Sequence, residues 1–125
     1  MNEILKKNVE ASSVNVYILS NQNELETAYS SNKLSMKMPV NNPIFDTLLN
    51  NNRNVVIAQQ IEKDHAVSAI TKELTEFFET TKSDALFILN EGHNIFGLIT
   101  LGKKASGDHY KEYDYNVFTK LYSYF

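Results

Sequence analysis

Residues 95–110 read Ile-Phe-Gly-Leu-Ile-Thr-Leu-Gly-Lys-Lys-Ala-Ser-Gly-Asp-His-Tyr, and no other stretch restricts the fold as much. Positions 95–101 are β-branched, aromatic or aliphatic apart from Gly97, and contain no Pro. They specify a central strand. A glycine inside such a strand marks a place where another backbone comes close. Gly102 stops the strand, and a cluster of turn residues, Ala105-Ser106-Gly107-Asp108, leads to Tyr110 and a new helix. The chain must therefore tie an inner strand by a compact loop to a C-terminal helix that folds back on the sheet.

The rest of the chain supplies partners for that unit. A short amphipathic helix is expected over residues 2–11, with Ile4, Leu5 and Val9 on one side. Residues 14–19 form a strand that is apolar on both faces, with Val14, Val16 and Ile18 alternating against Asn15, Tyr17 and Leu19. Residues 25–30 return as a weaker strand, giving a hairpin, and 31–40 form an extended connector. Asn42-Pro43 is a strong helix start, with Asn as cap and Pro at the first helical position. Ile44, Phe45, Leu48 and Leu49 are its apolar stripe. A short strand at 55–58 follows. Asp64 can cap a helix over 65–80 whose stripe is Val67, Ile70, Leu74, Phe77 and Phe78. Strands at 85–89 and 95–101 flank a Gly-containing hairpin loop at 90–94, and 111–125 is the last helix. Consecutive hairpins favour an antiparallel sheet. The terminal helices can cover one face and the two middle helices the other, so the expected fold is α+β with three layers.

With 125 residues and 42% hydrophobic composition the chain is expected to be one domain spanning 1–125, long enough for a real core. Its net charge of −3 is spread over both signs, with no basic face for nucleic acid. No apolar run is long enough to span a bilayer, the start lacks a signal sequence, and the expected location is cytoplasmic. The absence of cysteine removes disulfides, thiol catalysis and zinc-thiolate sites. His65, His93 and His109 match no metal-ligand spacing, and the Gly102–Gly107 loop lacks the spacing of a phosphate-binding loop. No nucleophile–base constellation is evident, so no enzyme activity, metal or cofactor is expected.

The segment Phe96-Gly-Leu-Ile-Thr-Leu-Gly-Lys-Lys-Ala-Ser-Gly107, with Tyr110 and Asp114 after it, resembles the closing segment of a GAF domain. The upstream order of elements fits as well, so the resemblance covers nearly the whole chain. Lys111 departs from the pattern, because the family usually has a Ser or Thr there that can cap the helix. The resemblance implies a PAS-related three-layer fold and a sensory or regulatory role without enzymatic activity. It also implies a small-molecule pocket between the sheet and the two inner helices. The roof would be Phe45, Leu48, Leu49, Ile70, Leu74 and Phe78. The floor would be Tyr17, Leu19 and Phe87, with Ile57 from the short strand. Tyr17 and Asn15 would be the polar groups of an otherwise apolar lining. The cysteines used by tetrapyrrole-binding and methionine-sulfoxide-reducing members are absent. The competing expectation is a structural dimerisation module whose pocket is filled by its own side chains.

The last helix carries more aromatic residues than one face can hold. Tyr113, Val117, Leu121 and Tyr124 follow helical spacing and are expected to cover the sheet. Phe118, Tyr122 and Phe125 are left on a neighbouring face. In the family the first and last helices often pair between subunits. Ile4, Leu5, Phe118, Tyr122 and Phe125 are accordingly expected at a homodimer interface.

Overall fold

The computed structural model describes residues 11–104 and 106–123. Of the helix expected over 2–11, residues 2–10 with Ile4 and Leu5 lie outside the described residues, as does Phe125, and Ala11 is not helical but forms an antiparallel bridge with Lys104. Six strands form one sheet: β1 (Val14–Leu19), β2 (Glu24–Ser30), β3 (Lys37–Pro39), β4 (Val55–Ile57), β5 (Ala85–Glu91) and β6 (Asn94–Leu101). Their order is β3-β2-β1-β6-β5-β4, and every neighbouring pair is antiparallel. Among the described residues three α-helices flank it: α1 (Pro43–Asn50), α2 (Thr71–Thr81) and α3 (Glu112–Tyr122). Helices α1 and α2 pack on one face and α3 on the other, as the two separate apolar clusters show.

The central strands β1 and β6 lie side by side, with Asn15 opposite Thr100 and Tyr17 opposite Leu98. A Cβ added at Gly97 would stand 3.0 Å from the Tyr17 carbonyl oxygen, so glycine there permits the close approach of β1. The hairpin between β5 and β6 turns through Gly92 and His93, with Gly92 at φ +60°, a conformation that glycine adopts without strain. Helix α1 starts as its sequence dictates: the Asn42 side chain accepts a 2.9 Å bond from the Ile44 N–H, and Pro43 follows the cap.

Four local expectations change. Strand β3 lies within the stretch read as a connector; three residues ending in a proline carry no period-2 signal, and β2 recruits them by pairing. The helix after Asp64 does not run continuously from 65. Residues His65–Ile70 wind as a tighter 3₁₀ segment broken at Val67 (φ −112°, ψ 16°), and α2 begins at Thr71. The Asp64 carboxylate there holds the Arg53 guanidinium, 2.7 Å from its Nε. Third, β1 and β6 are inner strands but are not covered along their whole length, since Ile18 and Phe96 are each 54% exposed. Finally, α3 is rotated from its expected setting. Phe118 is fully buried against Phe87 and Tyr110, whereas Tyr113 is 77% exposed.

Candidate functional site

The space between the sheet and α1–α2 holds most of the expected pocket residues in one cluster. Tyr17, Phe45, Leu48, Leu49, Ile70, Leu74 and Phe78 are buried together, and Leu19 packs against them from the rim. Ile57 and Phe87 do not belong to it. Both point to the opposite face and pack in the second cluster beneath α3. A shift of one residue along a strand exchanges its faces, and both faces of β4 and β5 are apolar, so sequence alternation did not reveal which residues look which way. Val56, Leu86 and Ile88 occupy the positions expected for Ile57 and Phe87.

One feature of this layer is polar. Asn15 and Tyr17 alternate on β1 and so share a face, and Thr100 is the direct cross-strand partner of Asn15. All three residues are fully buried. The Asn15 amide nitrogen and oxygen, the Tyr17 hydroxyl and the Thr100 hydroxyl have no hydrogen-bond partner. Burial pushes the Tyr17 phenol up. The neighbouring Thr100 hydroxyl pulls the other way, although the geometry between them falls short of a hydrogen bond. Each unpaired buried polar group costs about 1–3 kcal/mol. Four such atoms in one patch are therefore a feature to be explained rather than ordinary packing. Thr100 escaped the sequence analysis because its position opposite Asn15 follows only from strand register.

The far side of the sheet is closed by a different device. Tyr110 is fully buried; its hydroxyl donates to the Gly102 carbonyl at 2.6 Å and its N–H to the Asp84 carboxylate at 3.0 Å. Burial, together with the charges of Asp84 and Asp114, pushes the Tyr110 phenol up, which keeps it a donor. Helix α3 starts without a Ser or Thr cap. Lysine has no acceptor atom, and Asp114 instead accepts the Lys111 N–H at 2.9 Å and pairs with Lys104 at 2.9 Å. The expected interface residues Phe118 and Tyr122 are turned inward here. Phe118 is enclosed, and the Tyr122 hydroxyl donates to the Ile88 carbonyl at 2.5 Å. Within the monomer Phe118 is covered, while Tyr122 stays partly exposed. The spacing Tyr115, Phe118, Tyr122 is itself helical and outcompetes the stripe through Tyr113 because Phe118 meets both Phe87 and Tyr110.

An open groove of about 720 Å3 lies elsewhere, at the edge where β5 begins. It is bordered by the turn after β4, the C-terminal half of α2 and the loop after β6. Among the described residues, no group of three or more His, Asp or Glu is placed to hold a metal ion. Likewise among them, no helix is long and apolar enough to cross a membrane.

An antiparallel sheet of this order, with two inner helices on one face and the last helix on the other, is the fold of a GAF domain. Neither a family model nor a curated protein sequence matches the chain. Solved structures do. It is similar to the GAF domain/HD domain protein from Geobacter sulfurreducens, with a TM-score of 0.59 and 11% identity, over 98% of this chain and 82% of that one. It is also similar to residues 122 to 287 of a methyl-accepting chemotaxis protein, with a TM-score of 0.56 and 11% identity, over 97% and 78% of the two chains. A third likeness is to the GAF domain of a two-component sensor histidine kinase from Bacillus halodurans, at TM-score 0.52 and 11% identity, over 97% and 82%. The chain thus has the GAF fold, with 11% sequence identity to each of these structures.

Proposed function

We propose that the chain is a non-enzymatic sensory or regulatory module that binds a small, uncharged polar molecule between the sheet and helices α1 and α2. The observation that carries this is the buried patch of Asn15, Tyr17 and Thr100, whose four polar atoms lack partners beneath an apolar roof. A ligand with at least one donor and one acceptor would pair the Asn15 amide and the two hydroxyls. Its apolar part would lie against Leu19, Phe45, Leu48, Leu49, Ile70, Leu74 and Phe78. Among the described residues the one buried charged side chain is Asp84, which is engaged by His109 and Tyr110, and a charged ligand in the central layer would be desolvated without compensation. The segment broken at Val67 separates Val67 and Ile70 from the helix that carries Leu74 and Phe78, so the roof is built from two pieces. The names of two similar structures, a chemotaxis protein and a sensor histidine kinase, support a place in signal transduction.

A second reading has an observation in its favour. The same roof and floor are packed together and buried, as in a structural module that fills its own pocket. Ligand stripping separates the two. The protein is unfolded in guanidinium, dialysed, refolded, and compared with the protein as purified by thermal unfolding. A bound ligand stabilises by mass action, so the purified form should melt higher and the extracted small molecules should restore the difference. Identical melting of both forms, with no effect of the extract, would leave the self-filled module.

A further inference from the structure

The open groove has features that the central layer lacks. Its walls carry Lys82 and Lys103 on one hand and Glu62 and Glu79 on the other. Among the described residues none of these four joins an ion pair. Apolar surface is contributed by Ile61 and Phe78, both otherwise buried. Lys82 ends α2 in the left-handed region, at φ 52° and ψ 44°.

A fifth group on the wall is oriented. Asp84 is 2% exposed, and its carboxylate is fully engaged: one oxygen accepts from the Tyr110 N–H and the other lies 2.9 Å from His109 Nδ1. When Nδ1 donates to the Asp84 carboxylate, Nε2 is the ring's acceptor, and His109 lines the groove. His109 itself is half-exposed, as a ligand-reading group must be. A buried carboxylate that fixes one ring nitrogen is a recurring way to aim the other at a ligand.

We propose that this groove is a second binding site, separated from the central one by the shared Phe78 ring, for a zwitterionic molecule of dipeptide size. Lys82 and Lys103 receive its carboxylate, Glu62, Glu79 and the accepting Nε2 of His109 its ammonium group, and Ile61 and Phe78 its apolar side chain. A ligand with one charge leaves half of the groove's charges uncompensated, and that is the basis of selection. The volume of about 720 Å3 lies within the range of small-molecule sites.

The test is a solution NMR titration of the whole chain with the unblocked dipeptide alanyl-leucine, alongside its N-acetylated and C-amidated forms. The site predicts saturable shifts at Lys82, Lys103 and His109. Each blocked form should bind about tenfold more weakly or worse, the loss of one charged contact. The double variant Glu79→Gln, Lys103→Met should lose the response. Both positions are exposed, so its thermal midpoint should stay at the wild-type value. No saturable shift, equal binding of the blocked forms, or an unchanged response in the variant would each overturn the proposal. Shifts confined to Asn15, Tyr17 and Thr100 would overturn it too, while supporting the central site.

Discussion

At the scale of single residues, unpaired polar atoms decide the most. If nothing occupies the space beside Thr100 and Tyr17 in ligand-stripped protein, their hydroxyls contribute only desolvation cost. Thr100→Val or Tyr17→Phe should then leave stability unchanged or raise it by about 1 kcal/mol in urea unfolding of stripped protein. A loss of 2 kcal/mol or more would mean that these oxygens are satisfied within the chain. Asp114 sets a second expectation. Burial alone would raise its pKa, but the Lys111 N–H and the Lys104 ammonium outweigh burial and hold it below the usual carboxylate value. A carboxylate lowered in the folded state adds stability above its unfolded pKa, about 4, and that contribution disappears as pH falls through the lower folded value. Asp114→Asn should therefore destabilise at pH 7 and converge with the wild type in strong acid. Curves that run parallel from neutral to acid pH would show that Asp114 has no such role.

At the scale of elements, what the sequence revealed depended on whether each element carried its own signal. Helix α1 was legible from Asn42-Pro43, and β6 from its uninterrupted run. The apolar stripe expected over 65–80 was legible too, although it spans the 3₁₀ segment and α2: Val67, Ile70, Leu74, Phe77 and Phe78 are all buried. The faces of β4 and β5 were not, because both sides are apolar and only pairing decides between Phe87 and Leu86. Helix α3 was ambiguous in the same way. It offers two aromatic stripes, and the buried one is chosen by contacts with Phe87 and Tyr110, far away in the sequence. The chosen setting has a consequence. Phe118→Glu places a charge in a fully enclosed position and should abolish cooperative thermal unfolding, whereas Tyr113→Glu should change stability by less than about 0.5 kcal/mol. If Phe118→Glu stayed folded and Tyr113→Glu did not, the helix would be turned the other way.

At the scale of the whole molecule, the three-layer plan followed from the order of elements, and the polar patch was half visible in Asn15 and Tyr17. The groove was invisible. Its walls come from distant parts of the chain, and each of its lysines and glutamates is an ordinary surface residue until the fold gathers them. The GAF fold itself is compatible with an occupied or a self-filled centre, and the unpaired Asn15, Tyr17 and Thr100 groups favour occupation. Native mass spectrometry of the freshly purified chain tests that most directly. Occupation predicts a species heavier than the polypeptide by one small molecule, released on denaturation and absent from a Tyr17→Phe, Thr100→Val variant that remains folded. A wild type that shows only the polypeptide mass, in protein whose patch residues remain protected from solvent exchange, would contradict it.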